Sequence, residues 1–140
     1  MSYAVKQDLI ERFKEAELAQ LTDPENAATE IDDTTLDRAL VDADAEIDGY
    51  LGGRYHLPLA TVPRLLTNIA CDIARYRLYD DRATEQVTTR YKDAVRLLEK
   101  IQKGDVSLGL DAAQQPTQTT GGPQFDEPAR VFSRDRLADY

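Results

Sequence analysis

The chain has 140 residues, of which 41% are apolar and 31% charged, and it carries a net charge of −9. That length suffices for one domain with a buried core, and the acid excess argues against a protein that wraps nucleic acid, where affinity rests on neutralised phosphates. No apolar run approaches the roughly 18–20 residues of a membrane span, and the opening MSYAVKQDLIERF has no apolar signal-peptide core.

The charge is unevenly distributed. Residues 1–48 carry 14 acids against 4 bases, residues 49–104 carry 10 bases against 6 acids, and the remainder is acidic again. Two readings follow. The acidic and basic segments suit head-to-tail contact between copies, or they neutralise each other within one subunit.

In chain order, residues 5–21 (VKQDLIERFKEAELAQL) have apolar positions at Leu9, Ile10, Phe13, Leu18 and Leu21. This imperfect helical spacing fits one bent helix or two short ones. Thr22-Asp23-Pro24 ends it, because proline disfavours helix at the residue before it. Residues 22–33 read as a polar loop. Thr34 with Asp37 then resembles a capping box. Leu36, Ala39, Leu40, Ala43, Ile47, Tyr50 and Leu51 recur at three and four, which predicts an amphipathic helix over 34–51. Asp37, Asp42, Asp44 and Asp48 occupy its other face, and Gly52-Gly53 supplies a stop.

Pro63 stands where proline opens a helix. After it Leu65, Leu66, Ile69, Ala70, Ile73, Ala74 and Leu78 form the widest apolar stripe in the chain, so a helix over 63–80 should be the most buried element. A third strong helix is predicted over 84–103 from Val87, Tyr91, Ala94, Val95, Leu98 and Ile101. Lys100 and Lys103 complement its C-terminal dipole and Gly104 ends it. Val106, Leu108 and Leu110 alternate, which fits a short strand or an extended arm. The fold class expected is mainly α, a compact helical bundle with an extended C-terminal arm. The division is a helical domain at 1–110, a polar linker at 111–123 (compositionally AAQQPTQTTGGPQ after Asp111), and a docking tail at 124–140 where large apolar residues return.

Few residues suggest chemistry. Cys71 is the single cysteine and lies in an apolar helical pattern, so a buried structural thiol and a cytoplasmic origin are expected. His56, the one histidine, sits in a loop with no sequence link to it. GYLGGRY ends a helix, whereas a phosphate loop needs its glycines at a helix N-terminus. Asp44, Glu46, Asp48 and Gly49 imitate the start of a calcium loop, but the position of the closing acid falls on Tyr55. No catalytic residues, metal or cofactor are expected, and the protein is not expected to be an enzyme. Arg75, Arg77 and Arg82 lie among Asp72, Asp80 and Asp81. They read as an ion-pair network that holds helix ends or subunits together, against the bland alternative of solvated pairs of little energy. With Phe125, Arg130, Val131, Phe132, Arg134 and Leu137 of the tail they form the candidate subunit or partner interface.

Four segments carry a resemblance. EIDGYLGGRYHLPL, ACDIARYRLYDDR, the opening DLIERFKEAELAQLTD and the closing RVFSRDRL together resemble the small head–tail connector proteins of Mu-like tailed phages and prophages, catalogued as a domain of unknown function. The resemblance runs through essentially the whole chain in order. It implies a helical adaptor, made in the host bacterial cytoplasm and placed in the virion neck. It also implies a homo-oligomeric ring of roughly twelve copies, bound by the portal protein on one side and a neck or tail-terminator protein on the other. DNA would pass through the ring without specific binding, no membrane is involved, and no catalytic residues are implied. The family pattern has a glycine after the RF of the first helix and an Asp/Gly-rich loop before the second main helix. Here those places hold Lys14 and PENAATEI, which speaks against a metal loop. The alternative reading is a free-standing helical regulatory or nucleic-acid-binding module with residues 75–96 as its contact face.

Overall fold

A computed structural model of the chain describes residues 2–25 and 29–110. The expected linker and docking tail, including Phe125, Arg130, Val131, Phe132, Arg134 and Leu137, lie outside the described residues. The described residues form five α-helices: α1 (Lys6–Phe13), α2 (Glu15–Thr22), α3 (Asp33–Leu51), α4 (Arg64–Tyr79) and α5 (Glu85–Lys103), with a 3-10 turn at Asp80–Arg82 between the last two.

The first helical stretch is two short helices. Leu9 and Phe13 of α1 and Leu18 and Ala19 of α2 are all buried, and a straight helix would not direct both sets inward. The break falls at Lys14, with φ 72° and ψ 145°. This is backbone that glycine adopts freely and other residues adopt at a cost. Thr22, the last residue of α2, is a buried polar side chain. Its hydroxyl donates to the Leu18 carbonyl at 2.9 Å and accepts from the Asp32 N–H at 3.0 Å. It thereby ties the end of α2 to the start of α3.

The start of α3 corrects one expectation. The N-cap is Asp32, whose carboxylate accepts from the Thr34 N–H at 3.3 Å and from the Thr35 hydroxyl, so Thr34 is inside the helix and is not its cap. The end falls where the glycines were expected to place it, at Leu51 with Gly52 as the C-cap. Gly52 is right-handed, at φ −60°, and the chain leaves the helix in successive turns through Arg54 and Tyr55, whose N–H groups both donate to the Leu51 carbonyl. Pro63 is the N-cap of α4 and lies just outside its first turn.

α4 is the centre of the bundle. Leu66, Ile69, Ala70, Cys71, Ile73, Ala74 and Leu78 are buried, with Ile69 at 3% and Ile73 at 0% exposure. The helix packs most extensively on α3, then on α5, and touches α1 and α2. Burial pushes the Cys71 thiol up to about 12, so it stays protonated and inert. α5 is capped by the Thr84 side chain at one end and closes at Gly104, which is left-handed at φ 89°. Residues 105–110 form no strand. They run as an arm against the core, with Leu108 buried and Val106 and Leu110 half-buried.

Two consequences for stability follow. Lys14→Gly relieves a backbone conformation that costs about 1–3 kcal/mol for a residue with a side chain, offset by about 0.5–1 kcal/mol of glycine entropy. A gain of about 1 kcal/mol in unfolding free energy, read as a higher urea midpoint, is expected; an unchanged or lowered midpoint would contradict it. Gly104→Ala should destabilise by about 1–2 kcal/mol, because a Cβ there also meets the Arg54 guanidinium at 2.4 Å. Combining it with Arg54→Ala should recover only the steric part.

Candidate interaction surface

α4 sends polar groups outward at the edges of its buried face, and together they reach all four other helices. Arg75 donates from Nε at 2.9 Å and from Nη2 at 2.6 Å to Oε1 of Glu17 on α2. The Tyr79 hydroxyl donates to the same oxygen at 2.9 Å. The Arg75 guanidinium lies 4.4 Å from the centroid of the Phe13 ring on α1, a cation–π contact. Arg77 donates to Oε2 of Glu46 on α3 at 2.8 Å, and the Tyr91 hydroxyl of α5 donates to Oε1 of the same carboxylate at 2.8 Å. Tyr76 and Tyr91 stack with ring centroids 4.0 Å apart and planes 7° from parallel. Burial, and then the Glu46 hydrogen bond, push the Tyr91 hydroxyl up to about 12, so it remains a donor. Arg12 of α1 pairs with Asp72 of α4 at 3.3 Å. Burial nonetheless raises the Asp72 carboxyl, outweighing the nearby Arg12, Arg90 and Arg75 charges.

A second constellation joins the N-terminal segment to α3. The Tyr3 N–H donates to Asp44 at 2.9 Å, the Tyr3 hydroxyl donates to Asp48, and the Tyr3 carbonyl accepts from the Thr67 hydroxyl of α4 at 2.9 Å. Tyr3 and Ala4 are buried and pin this segment to the bundle. A groove of about 630 Å³ opens between the segment and α3.

The described helices are thus held by two carboxylates that each collect donors from other helices, and the surface they leave is open and charged. The family model for Bacteriophage Mu, Gp36 matches residues 3–127. The chain belongs to the phage Mu Gp36 family. It is 40% identical over 134 residues to the Mu-like prophage FluMu protein gp36 of Haemophilus influenzae, covering 95% of this chain and 94% of that protein. It is 38% identical over 133 residues to Gene product J of Escherichia phage Mu, covering 95% and 91% respectively.

Within this Gp36-family subunit the expected arginine network is different from the one read in the sequence. Arg75 and Arg77 pair with Glu17 and Glu46 on neighbouring helices, and Asp72 pairs with Arg12. Asp80 and Asp81 are exposed on the 3-10 turn and take no part in these pairs. The acids of neighbouring helices stand opposite these arginines, while Asp80 and Asp81 follow the end of α4. Arg75 is therefore an internal strut, with its side chain only 13% exposed. Arg82 is exposed and lines an open polar groove with Arg38, Arg77, Asp42 and Asp80. The imitation calcium loop is helix: Asp44, Glu46 and Asp48 all lie in α3, where they bind Tyr3, Arg77 and Tyr91.

Sequence reading missed Glu17, Glu46 and the Tyr76–Tyr91 stack. One signal was available: Glu46 and Asp44 are the acids on α3 that fall between the buried positions Ala43 and Ile47, and both are half-buried. Glu17 stands in a helix rich in acids and has no such mark.

Removing the two carboxylates should cost different amounts. Glu17→Ala strands a nearly buried guanidinium and a tyrosine, and a loss of about 2–3 kcal/mol is expected. Glu46→Ala leaves a half-exposed Arg77 that water can serve, so about 1–2 kcal/mol is expected. Denaturant midpoints of both variants check the order, and a larger loss for Glu46→Ala would contradict it.

Asp72 gives a pH signature. Its folded pKa is raised above the ordinary value of about 3.9, so its contribution to stability is present below that value and is lost as pH rises through the folded one. Asp72→Asn should gain on the parent as pH rises from about 4 to 7. Thermal melts at both pH values read the difference, and a variant that loses ground with rising pH would show Arg12 to dominate.

Proposed function

We infer that the protein is a structural head–tail connector of a tailed phage, assembling as a ring between the portal and the tail through which DNA passes. Family membership places it among Mu-like phage proteins, and the motif resemblance supports the connector role.

The observation that carries the reading further is how charge remains after the internal pairs are made. The outer face of α3 exposes Asp37, Asp42 and Asp48 against Arg38, while Asp33 at its start is already paired with Lys6. The outer face of α5 exposes Arg90, Lys92, Arg96, Lys100 and Lys103 against Glu85, Asp93 and Glu99. One subunit thus bears an acidic helix face and a basic one. Unlike faces that meet between copies make a heterologous contact, the kind that closes into rings. Neutralisation within the subunit is also present, through Glu17, Glu46 and their arginines, and it accounts for part of the basic segment. The alternative, a nucleic-acid-binding module using residues 75–96, is weakened because Arg75 and Arg77 already hold carboxylates.

Deleting the gene from an inducible Mu-like prophage should yield DNA-filled heads and separate, complete tails, visible by electron microscopy. Supplying the protein in trans should restore joined particles. Normal joined virions without the protein would overturn the connector reading. Reversing Lys92, Arg96 and Lys100 to Glu should block joining without unfolding the bundle.

A further inference from the structure

Among the described residues, two large apolar side chains stand exposed: Val5 at 54% and Val41 at 64%. Both line the same groove between the N-terminal segment and α3. Single exposed apolar residues are ordinary, but two that share one concave surface mark a contact site. The rim is acidic, with Asp37, Asp44 and Asp48 against Lys6, and Lys6 is already paired with Asp33 at 2.6 Å. An occupant should therefore offer apolar side chains flanked by positive charge.

The chain contains such a segment. Residues 129–137, ARVFSRDRL, place Val131, Phe132 and Leu137 among Arg130, Arg134 and Arg136, with Asp135 as the one acid. The 18 residues at 111–128 span up to roughly 60 Å when extended, enough to cross a domain of this size and reach the next.

We propose that residues 129–137 of one copy dock in the Val5–Val41 groove of the adjacent copy, with Phe132 between the two valines and the arginines on the aspartate rim. The proposal rests on the ring reading above. There the basic α5 of one subunit faces the acidic α3 of the next, and the C-terminal segment follows α5 in the chain. The same contact that brings α5 to the neighbour brings the tail beside the neighbour's groove. Charge supplies register and partner choice, and the apolar side chains supply the burial.

The test uses purified full-length protein. One population carries Val41→Cys and a size tag, the other Phe132→Cys, and the two are mixed under mild oxidation. Cys71 is fully buried and does not compete. A disulfide between the two populations is expected, at least about tenfold above that of a control pair with Gln102→Cys in place of Val41→Cys. Asp37→Lys or Arg134→Glu alone should lower it by about the same factor, and the two together, one on each partner, should restore it. Crosslinking between the two populations no better than the control overturns the proposal. Because no heads or tails are present, the result is separable from the connector reading. Joined virions that need the protein but show no such crosslink leave the connector standing and remove the docking.

Discussion

A helix that is apolar around most of its circumference has to be enclosed, and α4 is that helix. Its buried residues, from Leu66 to Leu78, face α3 on one side and α5 on another, while α1 and α2 cover what remains. Each fully buried aliphatic side chain contributes roughly 1.5–3 kcal/mol, so the surrounding helices are placed where they bury the most of it. The break at Lys14 is a consequence. A straight helix over 6–22 would leave part of α4 uncovered, and the unfavourable backbone at one residue costs less than that exposure.

The polar groups of α4 follow from the same enclosure. Arg75, Arg77 and Asp72 leave the buried face at its margins, where the neighbouring helices are close. Each finds an opposite charge on a different helix. These pairs set the rotation and height of α2, α3 and α1 against α4, which apolar packing alone leaves looser. The Tyr76–Tyr91 stack does the same for α5. Charges that are not drawn into these contacts remain on the outer faces of α3 and α5, with acids in excess on α3 and bases in excess on α5. The internal fastening and the outward asymmetry are thus two results of one sequence pattern: acid in the first third of the chain, base in the middle.

The helices, their approximate ends and the primacy of α4 are legible in the sequence, because periodic burial repeats every three or four residues and is written in residue type. Stops at Gly104 and the 80–82 turn are legible for a similar local reason. Fine capping is less so. Asp32 displaced Thr34 as the cap of α3, since several Asp and Thr residues in a row are all competent caps and the packing of Thr22 on the Asp32 backbone selects among them. Which of the Lys14 alternatives holds was likewise open, because both bury the same apolar residues locally.

Pairing of charges was beyond the sequence. The arginines of residues 75–82 were legible as a group, but their partners were not the aspartates beside them. Asp72 is taken by Arg12 and Asp80 and Asp81 lie beyond the helix on the 3-10 turn, while Glu17 and Glu46, 58 and 31 residues away, stand directly opposite. The same holds for Val5 and Val41, separated by 36 positions and unremarkable in the sequence, which share one groove once the N-terminal segment is pinned by Tyr3. By itself the sequence determined which faces are apolar, hence how many helices form and which one lies at the centre. Only the tertiary structure decided which charges meet and which apolar residues are left in the open, because both depend on the distance and rotation between helices that residue periodicity does not encode.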